Sequence, residues 1–159
     1  RDSEVSRRMC GFMIQRVRIE ESDNPIRLLD PFFSSADAFV PLPHPGSIDR
    51  NHAKWILYLA SRHRKPVIGF SSRYVDAGAL ASIFASPEDI VAETVEIIAK
   101  WNLLKESPKP WARPGDRFSI KTNPKIARFL RIQIPGETEL SPDSLRTLVR
   151  SACNEEGSG

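Results

Sequence analysis

The sequence predicts an α/β protein, a parallel sheet flanked by helices. Three observations carry that expectation. Strand-like and helical segments alternate along the chain, and such alternation lays helices over a sheet of parallel strands. Two of the strand segments, Ala38-Phe39-Val40 and Pro66-Val67-Ile68-Gly69-Phe70, are continuously apolar, as buried strands are. Several helix starts are spelled as a capping residue followed by proline: Ser86-Pro87, Asn123-Pro124 and Ser141-Pro142.

The elements follow in order. Residues 4–12 read as the end of a helix stopped by Gly11. Met13, Val17 and Ile19 then alternate with Arg16 and Arg18, the spacing of a strand with one wet face near a sheet edge. Residues 25–35 hold a short amphipathic segment, Ile26-Arg27-Leu28-Leu29 followed by Pro31-Phe32-Phe33. The strand at 38–40 stops in Pro41, Pro43 and Pro45, which lack the N–H groups that a ladder needs. Ser47 caps the next helix, with Asp49 in its first turn and Ile48, Trp55, Ile56, Leu59 and Ala60 on one face. Arg62-His63-Arg64-Lys65 closes that helix, where positive charge suits the negative end of the dipole.

The strand at 66–70 follows at once, and Ala81 to Phe84 form one more. Ser86-Pro87-Glu88-Asp89 opens a long helix: a cap, a proline at the first position and an acid at the third. Ile90, Val91, Thr94, Ile97, Ile98 and Trp101 make its apolar stripe, and Trp55 and Trp101 are expected in the core. Residues 105–117 are proline-rich surface. Phe118, Ile120 and Thr122 alternate as a last strand, and short helices follow Asn123-Pro124 and Ser141-Pro142. Residues 1–135 make the folded region; 136–159 add a C-terminal helix and a flexible tail.

The totals bound the function. A chain of 159 residues, 40 % apolar and 27 % charged, supports one domain with its own core. No apolar run approaches the ~18 residues that span a bilayer. The net charge of +3 is dispersed, and its one cluster, Arg62 to Lys65, belongs to a helix end; no nucleic-acid partner is expected. Cys10 and Cys153 lack CxxC and histidine spacing, so no metal site is expected, and a disulfide between them stays open. The chain opens at Arg1 and closes on Glu155-Glu156-Gly157-Ser158-Gly159, which reads as a piece of something longer.

In open parallel sheets, ligands bind beyond the carboxyl ends of the strands. Two strands end there in unusual loops, Pro43-His44-Pro45-Gly46-Ser47 and Phe70-Ser71-Ser72-Arg73-Tyr74. Ser47 brings the free amides of a helix start. Ser71 and Tyr74 bring hydroxyls, and Phe70 an aromatic face. The candidate ligand-binding residues are therefore His44, Ser47, Phe70, Ser71 and Tyr74. Plain structural roles stand beside them: His44 as a turn residue, Ser71 as a cap, Tyr74 packed under its loop, Ala77-Gly78-Ala79 as close packing. A triad of Ser71, His44 and Asp76 can be drawn, but there is no G-x-S-x-G elbow, no P-loop and no G-x-G-x-x-G. No enzyme activity, catalytic residue or cofactor is expected.

Three motifs in sequence order then point to a family. "ADAFVPLPHPGSID", "RKPVIGFSSRYVDAGALASIFASPEDI" and "FSIKTNPKIARFLRIQIP" together resemble the C-terminal half of the ABC transporter substrate-binding proteins related to tryptophan- and tyrosine-binding lipoproteins. The resemblance runs from Ala36 to Pro135. It implies one Rossmann-like lobe of a type I periplasmic-binding-protein fold, which binds a small molecule (an amino acid or aromatic compound) without chemistry. It also implies an ABC permease as partner and a periplasmic or extracytoplasmic, membrane-associated parent protein. His44 stands where the family loop commonly has an acid or amide, Val91 where many members carry glycine, and Arg131 in place of the glycine of the closing motif. The N-terminal lobe of that fold is not in the sequence, and a second copy in a homodimer is one way to replace it. The alternative reading is an extracytoplasmic ligand-sensing or protein-interaction domain with a signalling partner. A hydrolase using Ser71 ranks third.

Overall fold

The computed structural model describes residues 5–9, 11–19, 23–43, 50–104, 117–135, 143, 144 and 147. His44, Ser47, Cys10, Cys153 and most of the helix expected after Ser141 lie outside the described residues.

The chain opens with a β-hairpin. β1 (Val5–Met9) pairs antiparallel with β2 (Phe12–Arg16), Val5 facing Arg16 and Met9 facing Phe12. Where a helix end is expected over 4–12, the described residues form β1, the turn at Gly11 and the first residue of β2. Gly11, read as a helix stop, sits in the hairpin turn at φ +78, a left-handed conformation that glycine adopts without a Cβ clash.

α1 (Pro25–Ser35) begins where Asn24 Oδ1 accepts the N–H groups of Ile26 and Arg27, at 3.1 and 3.2 Å. Its apolar side buries Leu29 and Phe33 against α2 (Arg50–His63), which contributes Ile56, Leu59 and Ala60. The His63 ring, its Nε2 2.8 Å from Asp30 Oδ1, ties the two helices together. Trp55, expected in the core, is 41 % exposed and stands edge-on to Tyr58. It lies at the margin of the α2 apolar arc, to one side of the buried Ile56, Leu59 and Ala60.

The sheet contains β3 (Ile68–Gly69), β4 (Ala81–Phe84) and β5 (Ser119–Thr122), in that order. β3 and β4 are parallel, as expected; β5 runs antiparallel to β4, so the sheet is mixed. The strand expected at 38–40 contributes a single parallel bridge, Phe39 to Val67. Two backbone bonds hold it: Phe39 N–H to the Pro66 carbonyl at 2.9 Å, and Ile68 N–H to the Phe39 carbonyl at 2.8 Å. Prolines at 41 and 43 keep the ladder from continuing. α3 (Ser72–Asp76) fills the short crossover between β3 and β4. Ile19, Leu29, Phe33, Ile56, Leu59, Ala60, Val67, Tyr74 and Ala79 form the core cluster.

α5 (Pro124–Leu130) starts at the expected cap, Asn123, whose Oδ1 accepts from Lys125 and Ile126 while its Nδ2 donates to the Val75 carbonyl at 3.1 Å. One side chain thus caps α5 and fastens it to α3. The helix ends at Arg131 in the left-handed region, φ 59 and ψ 36. A side chain there costs about 1 kcal/mol relative to glycine. Arg131→Gly is expected to raise the unfolding free energy by about that amount, read as a higher urea midpoint at unchanged slope.

α4 (Pro87–Leu104) begins with a reciprocal capping box. Ser86 Oγ accepts the Asp89 N–H, and Asp89 Oδ2 accepts the Ser86 N–H, each at 3.0 Å. Ser119 Oγ donates to the same carboxylate at 3.0 Å. The Ser86 amide, the Ser86 and Ser119 hydroxyls and the Arg117 charge hold the Asp89 pKa below its ordinary 3.8. A depressed folded-state pKa stabilises above the unfolded value, and that contribution disappears as pH falls through the folded value. Acid titration is therefore expected to loosen the start of α4 below about pH 4. Asp89→Asn is expected to remove that part of the pH dependence, checked by thermal melts between acid and neutral pH.

Candidate functional site

The parallel bridge at Phe39 and the parallel pairing of β3 with β4 point three chain segments in one direction. Their carboxyl ends therefore emerge at one rim. Pro41 to Pro43 leave from the first, Phe70 to Ser72 from the second, and Ala85-Ser86 from the third. Pro41 is buried at this rim, whereas Val40 and Leu42 are exposed.

Phe70 follows β3 directly. It is half-buried, packs on the core, and lies against Tyr74 with ring centroids 5.1 Å apart and planes tilted by 56°. Ser71 occupies the cap position of α3 in an extended conformation, yet its hydroxyl makes no capping bond. Its carbonyl accepts the Tyr74 N–H at 3.0 Å, which closes the turn without the side chain. The Ser71 and Ser72 side chains are half-exposed.

Tyr74 is only 6 % exposed and belongs to the core cluster. Its hydroxyl has no hydrogen-bond partner among the described residues, and burial raises its pKa. Buried polar atoms are normally paired, so an orphan of this kind calls for an explanation. Ser82 Oγ, on β4, is a second such atom.

Gly69 explains how Tyr74 comes to lie there. A Cβ at Gly69 would collide with the Cβ and Cγ of Tyr74 and sit 2.8 Å from Ser82 Oγ. The strand needs glycine so that α3 can press its tyrosine onto the sheet. Gly78 has a different role from the close packing expected of it. Open space surrounds its missing Cβ, but its φ of +116 suits glycine. Ala79, fully buried, does supply close packing.

The structure thus brings Phe70, Ser71 and Tyr74 together. His44 and Ser47 lie outside the described residues, and only the strand leading to them is seen. Gly69 and Ser82 were missed by sequence reasoning. An isolated glycine in a strand was the available signal for the first, since it marks a close approach. Among the described residues no cluster of acidic, histidine or cysteine side chains is arranged to hold a metal. No described helix is long and apolar enough to cross a membrane.

No family model matches the chain, and no curated protein matches it. Two solved structures are similar to it. One is a conserved domain protein from Vibrio cholerae O1 biovar eltor str. N16961, at TM-score 0.47 and 22 % identity over 74 % of this chain and 38 % of that one. The other is the ABC domain from Streptococcus pneumonia in complex with L-Trp, at TM-score 0.43 and 22 % identity over 76 % of this chain and 39 % of that one. The chain therefore spans about two fifths of the length of each.

Proposed function

We propose that this chain is one lobe of a solute-binding protein and holds a small molecule at the carboxyl rim of its parallel strands, without chemistry on the ligand. The observation that carries the reading is the parallel bridge from Phe39 to Val67, because it sends the 41–43 segment and the Phe70 loop to one rim. The rim offers the half-buried Phe70 ring and two half-exposed serine side chains, and the Tyr74 ring, whose hydroxyl is buried and unpartnered among the described residues, packs against Phe70. That combination suits a ligand with one flat apolar part and one hydrogen-bonding end, such as an amino acid or an aromatic compound. Placement outside the cytoplasm and delivery to a permease belong to this reading. So does closure against a second lobe, driven only by contacts that differ between open and closed states.

A thermal-shift screen of amino acids and aromatic compounds tests it. A true ligand stabilises by about 2.7 kcal/mol at a hundredfold excess over its dissociation constant. The shift is expected to shrink in Phe70→Ala and Ser71→Ala. A panel that leaves the melting curve unmoved, or a shift indifferent to both substitutions, sinks the reading. The second reading, a protein-interaction module in a signalling protein, has one observation in its favour: the outward apolar face of α4.

A further inference from the structure

α4 sits with its amphipathic faces reversed. Ile90, Val91, Val95, Ile97 and Ile98 are 48–62 % exposed, and at 100° per residue they share one broad arc with Thr94. The opposite arc carries Asp89, Glu93 and Glu96. Asp89 binds Ser119, and Glu96 pairs with Arg117. The helix is therefore fastened to its own domain through its polar side and shows its apolar side to solvent. A shallow hollow of about 360 Å³, lined by Pro87, Glu88, Val91 and Ala92, lies on that surface. An apolar patch of this kind on a soluble domain marks an interaction site.

The β1–β2 hairpin has the matching deficit. Every residue of β2 is exposed, Phe12 and Met13 at 68 % each, and among the described residues the two strands pair only with each other. A lone two-stranded hairpin is marginal in water. Phe12, Ile14 and Arg16 alternate on one face of β2, an exposed apolar surface carrying an arginine. The α4 surface is apolar and edged by the exposed Glu88 beside its hollow. The two surfaces are complementary in character and opposite in charge.

We propose that two copies of this chain associate about a two-fold axis, the hairpin of each lying on the outward face of α4 of the other. The arrangement is self-complementary and closed, so it covers both apolar surfaces in both copies without leading to open polymers. Opposite charges fix the register: Arg16 of one copy faces Glu88 of the other.

Sedimentation velocity on the full chain over a concentration series tests the proposal. A monomer–dimer equilibrium is expected. Val95→Asp is expected to weaken it by at least about tenfold, because a charge would be buried in the apolar contact. Val95 is 59 % exposed in the single copy, so the far-UV spectrum and unfolding midpoint under dilute, monomeric conditions should hold. Arg16→Glu and Glu88→Arg should each weaken association several-fold, and the double variant should recover it. A chain monomeric at every concentration overturns the proposal, whether the hairpin then folds onto its own α4 or awaits another protein. A dimer indifferent to Val95→Asp, or a double variant no better than the singles, overturns it as well.

Discussion

Phe33→Ala is expected to lower the unfolding free energy by about 3–5 kcal/mol, the cost of a large cavity at a fully enclosed aromatic. Phe33 has no exposed surface, and its ring lies flat on Phe39 with centroids 3.5 Å apart and planes within 9°. It also stacks near His63, whose contact with Asp30 joins α1 to α2. The loss is a large share of the ~5–15 kcal/mol that holds a domain of this size together. The change should reach the rim too, since Phe39 makes the bridge that aligns the 41–43 segment with β3. Urea unfolding measures the first effect. Faster backbone exchange at Phe39 and Ile68, whose amides make the bridge bonds, measures the second. Phe33→Leu separates cavity from ring: it retains most of the volume and is expected to cost less than about half as much.

The parts legible in the sequence are those set by local chemistry. Asn24, Ser86 and Asn123 each accept a backbone N–H three residues on, and a proline follows each of them. Cap geometry is written within four residues, so α4 and α5 could be read directly; the same device at Asn24-Pro25 went unread, and α1 showed only as an amphipathic segment. The apolar run at 67–70 and the four residues of β4 were likewise visible. Strand direction was not, because β5 has the same alternation whether it joins β4 parallel or antiparallel. The hairpin was hidden for a related reason: Gly11 serves equally as a helix stop and as a left-handed turn, and only the facing partner decides. The α4 stripe misled in another way. Periodicity predicts which residues share a face, and it was correct about that; it does not say which face is fastened to the domain, and here the polar one is, through Ser119 and Arg117. Of the site, Phe70 and Ser71 could be read from their place at a strand end. The unpartnered Tyr74 hydroxyl arises from a long-range fit between α3, Gly69 and β4, which no local pattern encodes.

That fit supplies the second large effect. Gly69→Ala is expected to destabilise by about 3 kcal/mol, at the upper end for overpacking, because the colliding atom is the Tyr74 Cβ. A Cβ cannot swing aside by a change of rotamer; α3 as a whole must lift from the sheet. Tyr74→Ala retains that Cβ and so should not rescue Gly69→Ala, whereas Tyr74→Gly removes it and should recover part of the loss. Tyr74→Phe acts the opposite way on the apo protein. It deletes a buried hydroxyl that has no partner, so stability should hold or rise by about 1 kcal/mol. A group that costs stability when empty is retained if something fills it. On the proposed function that something is the polar end of the ligand, so Tyr74→Phe should melt no lower than the parent alone and yet gain less from ligand. If Tyr74→Phe lowers the melting point of the free protein, the hydroxyl has a partner in the fold, and its link to the ligand is lost. If it raises the melting point and leaves the ligand shift whole, Tyr74 is core alone and the rim rests on Phe70 and Ser71.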